Sequence, residues 1–263
     1  MLPWKPWKPE RVAWLLIAFM AANLLGVLVV QGYSSALSKD EAKQSSALPK
    51  EESKESPAVS KEEVKPPVNV FVMLAGTLMY QGVTLVLIGV FLRIHAISWA
   101  DAFGFKTPRL ARTLGLALLA TAIVLPIAMA LGWVSKIVLE GMGWHVELQE
   151  SVKSAQTIER FGDQVYFAIV TIILAPFMEE VLFRGVLYPA VKQAGFPKIA
   201  LWSTSMLFAF FHANAMAFVP LLFMAVILVF LYETTGNLLA PIVTHALFNA
   251  TNYALLLNQQ SGN

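Results

Sequence analysis

Three ionisable side chains stand in the middle of a long apolar run in this chain. The run 175–189 reads APFMEEVLFRGVLYP and contains Glu179, Glu180 and Arg184. The segments on either side are hydrophobic enough for the centre of a bilayer. Because charge is costly at membrane depth, ionisable residues there are functional-site candidates by default. The run therefore predicts a membrane-spanning helix that carries a polar site.

Helical spacing separates the two acids of this run. Glu180 and Arg184 are four residues apart, on one face, with the acid on the N-terminal side in the better orientation for a pair. Glu179 lies about 100° further round the helix. We expect Glu180 to neutralise Arg184 and Glu179 to keep a carboxylate available. A buried ion pair with a spare acid, or a helix end at the membrane interface, is the alternative.

The composition predicts a membrane protein. The chain is 57% hydrophobic and 14% charged, where soluble domains have about 25% charged residues. Its mean hydropathy is +0.63. Several segments reach the roughly 20 apolar residues that span a bilayer, so we expect an all-α, multi-pass transmembrane bundle. The net charge of +2 is no evidence for a nucleic-acid partner, and the absence of Cys excludes disulfides and thiol catalysis.

About seven spans are predicted, at 12–30, 70–92, 113–139, 166–190, 199–214, 217–232 and 239–257. Trp4 and Trp7, among basic residues, are typical of an interfacial anchor before the first span. That span exceeds the roughly 7 to 15 apolar residues of a signal peptide, which favours a retained helix. If the amino end lies on the cytoplasmic side, the basic connection 93–112 lies there as well, which agrees with the excess of Lys and Arg in cytoplasmic loops.

The composition also divides the chain into segments. The segment 34–67 mixes Ser, Pro, Lys and acids with few large apolar residues, which predicts a flexible loop. The predicted organisation is an anchor and first helix at 1–33, a charged loop at 34–68, helices two and three with their loops at 69–164, a catalytic core at 165–257 and a short tail at 258–263.

Two further polar motifs lie on later helices. His212 ends the run LFAFFHAN, with Phe208 one turn earlier, and His245 and Asn249 are four residues apart in THALFNATN. Taken singly, His212 has the alternative of a satisfied structural histidine. For His245 and Asn249 on the last helix, the alternative is a hydrogen-bonded contact between helices. Helix rise sets Glu179 about 16 Å and His212 about 20 Å from their helix ends, so we expect the motifs to converge.

The side chains of these motifs support two kinds of hydrolysis. A carboxylate partly removed from water can take a proton from a water molecule and act as a general base. His or Asn donors can then stabilise the developing negative charge on a carbonyl oxygen. Alternatively, Glu179, His212 and His245 supply the ligand types of a zinc hydrolase. No HExxH motif occurs, so a metal would need ligands from separate helices.

The three motifs, in this order on successive spans, resemble the CPBP family, which includes the CAAX prenyl proteases of Rce1 type and bacterial Abi-like proteins. The motifs that carry the resemblance are Glu179-Glu180-x-x-x-Arg184, Phe208-x-x-x-His212 and His245-x-x-x-Asn249. The resemblance covers residues 165–257, about a third of the chain. It implies an α-helical intramembrane endopeptidase in a bacterial cell membrane, acting on a peptide or protein substrate.

The resemblance also assigns roles to single residues. It implies a catalytic set of Glu179, Glu180, His212, His245 and Asn249, with Arg184 as a structural neighbour. Glu179 would be the base, His212 would orient the water or the oxyanion, and His245 with Asn249 would complete the site. Because the family is described both as metalloproteases and as glutamate-dependent proteases, a divalent metal such as zinc stays open.

Two other functions remain open from the residues alone. Intramembrane Glu, Arg and His also line ion paths, which leaves a proton- or ion-coupled transporter. A non-catalytic scaffold or immunity protein could retain the same residues without turnover. No inverted repeat is evident in the sequence, which favours the peptidase over the transporter.

Overall fold

The computed structural model of the chain describes residues 4–46, 76–106, 109–158 and 160–261. Within these ranges every regular element is a helix and no strand occurs, which confirms the all-α prediction. The helices are α1 (Pro9–Ser46), α2 (Met79–Ile94), α3 (Trp99–Phe103), α4 (Leu110–Gly141), α5 (Glu150–Gln156), α6 (Phe161–Gln193), α7 (Pro197–Phe211), α8 (Ala215–Thr235) and α9 (Leu239–Ser261).

Among the described residues, four helices are long and apolar enough to cross a membrane. They are the Pro9–Val29 part of α1, together with α4, α6 and α8. The predicted count of about seven is not confirmed, because the described part of α2 is a shorter apolar helix and α7 has only 15 residues. Helix α9 has 23 residues but carries several Asn and Gln side chains in its second half.

The outer surface of the bundle is strongly apolar. Large side chains such as Leu24, Leu118, Trp133 and Phe210 are more than half exposed. An exposed apolar surface of this extent marks contact with a membrane or a partner. Together with the four apolar helices, it identifies the chain as an integral membrane protein.

The first helix is longer than predicted. The expected loop begins at residue 34, but α1 continues to Ser46. Residues 36–46 contain Ala, Leu, Lys, Glu and Gln with no Gly or Pro, and these residue types favour a helix even when they are exposed. The remainder of the predicted loop, together with residues 70–75 of the predicted second span, lies outside the described residues.

Helix α6 contains two π-helical turns, Ile169–Leu174 and Val181–Leu187. Each turn contains the residue four positions before a proline, since Pro176 follows the first turn and Pro189 the second. A proline lacks the amide hydrogen and clashes with the carbonyl four positions earlier, and a π-helical turn relieves both problems. The two turns bracket the short α-helical stretch that holds both glutamates.

Helix α6 also lies against the main apolar core. Its residues 181–190 are all buried. Helix α8 packs against α4, α7 and α9, and α9 packs against α4 and α6. The shared core includes Val124, Met178, Val186, Phe208, Met224 and Leu228. The polar motif of α6 is therefore held inside the bundle and away from lipid.

Residues 4–8, here called the strap, fold back onto one end of the bundle. The ammonium of Lys5 donates to the carbonyl oxygen of Ala102, and burial lowers the Lys5 pKa to about 8. The carboxamide of Gln193, oriented to satisfy both partners, bonds the backbone of Lys5 at 2.8 and 3.0 Å. Trp7 is buried against Phe91. The strap thus joins the ends of α2 and α6, and Trp7 packs inside the protein whereas Trp4 is exposed.

The turn after α3 requires a glycine. Gly104 has φ of +76°, and a Cβ atom there would lie 2.0 Å from the carbonyl oxygen of Gly236. Gly143 has a similar φ of +77°, but a Cβ atom at that position would meet nothing within 4 Å. The two glycines therefore separate the cost of backbone strain from the cost of a backbone clash.

We expect Gly104→Ala to destabilise the protein by at least about 3 kcal/mol, because backbone atoms must move. Gly143→Ala should cost about 1 to 2 kcal/mol, the penalty of a left-handed conformation alone. Unfolding of the two variants in detergent measures the difference. Equal losses would show that the contact between the α3 turn and Gly236 does not constrain the fold.

Candidate active site

A buried ion pair lies at the centre of the site. Nη1 of Arg184 donates to Oε1 of Glu180 at 2.8 Å, and the two side chains are 1% and 0% exposed. The other guanidinium nitrogen, Nη2, donates to the carbonyl oxygen of Ala225 at 3.2 Å. The ring of Phe208 lies 4.5 Å from the guanidinium carbon. The predicted pairing of Glu180 with Arg184 is confirmed, and the pair ties α6 to α8.

The same carboxylate oxygen orients a histidine from α9. Nδ1 of His245 lies 3.0 Å from Oε1 of Glu180, and the ring is 2% exposed. Because an ionised carboxylate only accepts hydrogen bonds, Nδ1 carries the hydrogen. The other ring nitrogen, Nε2, then faces Oε2 of Glu179 at 3.9 Å. His245 is thus held between the two glutamates with its second nitrogen turned towards Glu179.

The two acids differ in their access to solvent. Glu180 is fully enclosed, whereas the Glu179 side chain is 18% exposed. Oε2 of Glu179 has no hydrogen-bond partner among the described residues. The 3.9 Å separation of Oε2 from Nε2 of His245 exceeds a direct hydrogen bond. Glu179 is therefore the more accessible of the two acids.

His212 lies near this group but does not join it. It follows the last residue of α7, and its Nδ1 donates to the carbonyl oxygen of Phe208 at 2.8 Å. The Phe208 ring packs against both histidines, with centroids 4.8 Å from His212 and 5.6 Å from His245. In the described part of the chain, no hydrogen bond or ion pair links His212 to either glutamate.

Asn249 connects two helices next to the site. Its Nδ2 donates to the carbonyl oxygen of Thr171 at 2.8 Å. Thr171 belongs to the first π-helical turn of α6, where the helix frees backbone carbonyls from their usual partners. Asn249 therefore fixes α9 against α6 one turn beyond His245, as the predicted helix–helix contact requires.

The described side chains do not form a metal-ligand group. No cluster of three or more His, Cys, Asp or Glu residues suited to a metal occurs in the described ranges. Glu179 and His245 approach each other, but His212, the third predicted ligand, bonds to its own helix beside Phe208. The zinc set expected as one alternative is not assembled among the described residues, and the metalloprotease assignment has no support from this arrangement.

Two features of the site are not predicted from the sequence. The first is the carbonyl of Ala225 on α8, which accepts the second bond from Arg184. The second is the pair of π-helical turns on either side of the glutamates. Pro176 and Pro189 inside an apolar run are the sequence signal for the turns, whereas no sequence signal identifies the carbonyl.

We expect Arg184→Ala to destabilise the protein by about 3 to 5 kcal/mol, since it leaves Glu180 buried without its charge partner. Lys136→Ala is the matched control, because it breaks an exposed pair with Glu140 at 3.8 Å. Loss of such a pair costs about 1 kcal/mol or less. Denaturant unfolding of both variants in detergent tests this. If Arg184→Ala lowers the free energy of unfolding no more than Lys136→Ala does, the buried ion pair does not stabilise the fold.

Comparison with known proteins identifies the region that holds the site. Residues 161–251 match the family model described as type II CAAX prenyl endopeptidase Rce1-like. Over 89 residues the chain is 33% identical to the Bacillus subtilis (strain 168) protein named Uncharacterized protein YpbD. The aligned segment covers 32% of this chain and 42% of the relative, so the chain spans less than half of the relative's length. No solved structure matches. The family resemblance of the three motifs is thereby confirmed, and residues 161–251 form an Rce1-like region.

Proposed function

We propose that this chain is an intramembrane endopeptidase that hydrolyses a peptide bond near the membrane surface, with Glu179 as the base. The Rce1-like match supports a CAAX-type peptidase. The observation that carries the assignment of the base is the contrast between the two acids. Glu180 is enclosed and bonded to Arg184 and His245, whereas Glu179 is partly exposed and faces Nε2 of His245 at 3.9 Å.

In the proposed reaction, Glu179 and His245 hold the attacking water between them. Nε2 of His245 accepts one hydrogen bond from the water, and Glu179 takes the other proton as the water attacks the peptide carbonyl. The carbonyl oxygen becomes negative and needs a hydrogen-bond donor. The C–N bond then breaks, and the proton on Glu179 moves to the leaving amine. The products are a new carboxyl terminus and a new amino terminus.

Glu180 supports this step without reacting. Its carboxylate fixes the Nδ1–H tautomer of His245, much as a buried carboxylate orients histidine in serine proteases. Arg184 pairs with Glu180 and balances its charge in the apolar interior. Glu180 and Arg184 therefore act on the reaction through His245.

His212 and Asn249 take supporting parts in the proposal. The Nδ1–H of His212 already donates to a backbone carbonyl. It can therefore donate to an oxyanion through Nε2 only as the doubly protonated imidazolium. Asn249 holds α9, and with it His245, in register with α6. We assign residues 165–257 as the catalytic core, with 1–33 and 69–164 as supporting segments in a bacterial cell membrane.

Glu179→Gln keeps the size of the side chain but cannot act as a base, so we expect it to reduce turnover by about 10²-fold or more. New peptide termini in membranes of cells that express the wild type or the variant are compared by quantitative mass spectrometry. Termini that depend on Glu179 should vanish. Glu140→Gln, which changes an exposed acid on α4, is the control and should leave them unchanged.

Identical sets of termini in the wild type and Glu179→Gln would refute the peptidase. Ion or proton flux in proteoliposomes would then favour a transporter. Capture of a partner that is unaffected by Glu179→Gln would favour a scaffold. The thermal midpoints of both variants should stay close to that of the wild type, since neither change disturbs the buried ion pair.

A further inference from the structure

The turn between α7 and α8 carries His212 and contains a strained residue. Ala213, which follows His212, has φ of +47°, a left-handed conformation that residues other than glycine rarely adopt. Strain of this kind persists only where surrounding contacts hold the backbone in place, and it is typical of functional sites. The contacts that hold this turn therefore bear on the position of His212.

A second alanine in the same conformation shows how a helix end can hold such a residue by itself. Ala96, at the end of α2, has φ of +51°. The N–H of Ile97, the next residue, donates to the carbonyl oxygen of Leu92 at 3.2 Å and closes the turn within α2. Asn214 is the residue after Ala213, and its N–H makes no backbone hydrogen bond among the described residues. The end of α7 therefore depends on contacts from elsewhere.

The side chain of Asn214 supplies these contacts. Its Oδ1 accepts from the N–H of Ala217 at 2.9 Å and caps the start of α8. Its Nδ2 donates to the carbonyl oxygen of Glu147 at 2.9 Å, a contact here called the tether. Glu147 lies in the loop between α4 and α5, and its carboxylate pairs with Lys153 of α5 at 2.7 Å. One carboxamide thus joins the turn to α8 and to the loop before α5.

The tethered turn is part of the candidate site. His212 lies two residues before Asn214, and its ring packs on that of Phe208 with centroids 4.8 Å apart. The same Phe208 ring lies 5.6 Å from the ring of His245. Helix α5 packs against α9, which carries His245. The tether therefore links the end of α7 to a loop whose helix contacts the other histidine-bearing helix.

We propose that Asn214 is a positioning residue of this site, which holds the turn that carries His212 through its bond to the carbonyl oxygen of Glu147. The inference rests on the proposed peptidase function, in which the imidazolium of His212 can donate to the oxyanion. Asn214 touches neither the substrate nor the reacting atoms and acts through His212. Because the oxyanion forms only in the transition state, loss of the tether lowers kcat and leaves KM unchanged.

Asn214→Asp separates the tether from the helix cap. Aspartate caps a helix as well as asparagine does, and its negative charge is favourable at a helix N-terminus. Its ionised carboxylate has no hydrogen to donate to the Glu147 carbonyl. We expect kcat to fall about tenfold or more, since displacement of a catalytic group by about 1 Å can cost about 10²-fold. KM and the thermal midpoint should stay close to those of the wild type.

Two further variants separate the tether from stability. The substrate is a synthetic peptide that spans a cleavage site identified by the Glu179-dependent termini. Asn214→Ala loses both cap and tether, so it should lower kcat and the thermal midpoint together. Ser98→Ala is the matched control, because Ser98 caps α3 and both of its side-chain hydrogen bonds go to Asp101. It should lower the midpoint and keep kcat within about twofold of the wild type.

The kinetic outcomes distinguish this inference from the proposed function. If Glu179→Gln is inactive while Asn214→Asp keeps the kcat of the wild type, the role of Asn214 is overturned and the peptidase stands. A thermal midpoint for Asn214→Asp as low as that for Asn214→Ala would assign the effect to the cap and overturn the role of the tether. An equal loss of kcat in Ser98→Ala would overturn it as well. If cleavage does not depend on Glu179, the peptidase mechanism fails and the role of Asn214 fails with it.

A second measurement tests the tether without activity. Glycine adopts the left-handed conformation without strain, so Ala213→Gly should raise the thermal midpoint. In the Asn214→Asp background the turn can relax, and Ala213→Gly should raise the midpoint less. Ala96→Gly is the control, since α2 closes that turn by its own backbone bond, and its effect should be the same in both backgrounds. An equal gain from Ala213→Gly in both backgrounds would show that the tether does not hold the turn and would overturn the proposal.

Discussion

The ion pair between Glu180 and Arg184 is the interaction on which the candidate site depends. Both groups are enclosed in an apolar bundle, where either charge alone would be strongly unfavourable. Their mutual bond lets α6 carry charge at membrane depth. The remaining bonds of the pair reach α8 through Ala225 and α9 through His245. One charge pair therefore sets the relative positions of three helices.

The same pair gives two adjacent acids different chemistry. Glu180 directs its bonded oxygen to Arg184 and His245, whereas Glu179 points to the partly exposed side of the helix. Consecutive residues on a helix differ by about 100° in direction, so neighbours in sequence need not share an environment. The two π-helical turns on either side of the glutamates let α6 accommodate Pro176 and Pro189, which an uninterrupted α-helix would not do.

The amino-terminal strap shows how contacts outside the Rce1-like region shape the site. It joins the ends of α2 and α6 through Trp7, Lys5 and Gln193. Neither the strap nor α2 belongs to the matched segment 161–251. Residues outside the Rce1-like region therefore hold the carboxyl end of the helix that carries the candidate site.

Much of the local structure follows from the sequence alone. Apolar runs predict the helices, and the four-residue spacing predicts the bond between Glu180 and Arg184, because both depend on the geometry of one helix. Local rules also explain the error in α1, since polar helix-forming residues after position 34 resemble a polar loop in composition. Composition does not determine the number of spans, because α9 mixes apolar residues with Asn and Gln.

The tertiary structure decides which side chains of different helices meet. Spacing along a helix fixes depth and direction within that helix, but not its rotation against its neighbours. That rotation brings His245 between the glutamates and leaves His212 beside Phe208. The sequence by itself thus determined the helices, the buried charges and their pairing within α6. Only packing between helices brought His245 and Asn249 against α6, because these contacts join residues that are far apart in the chain.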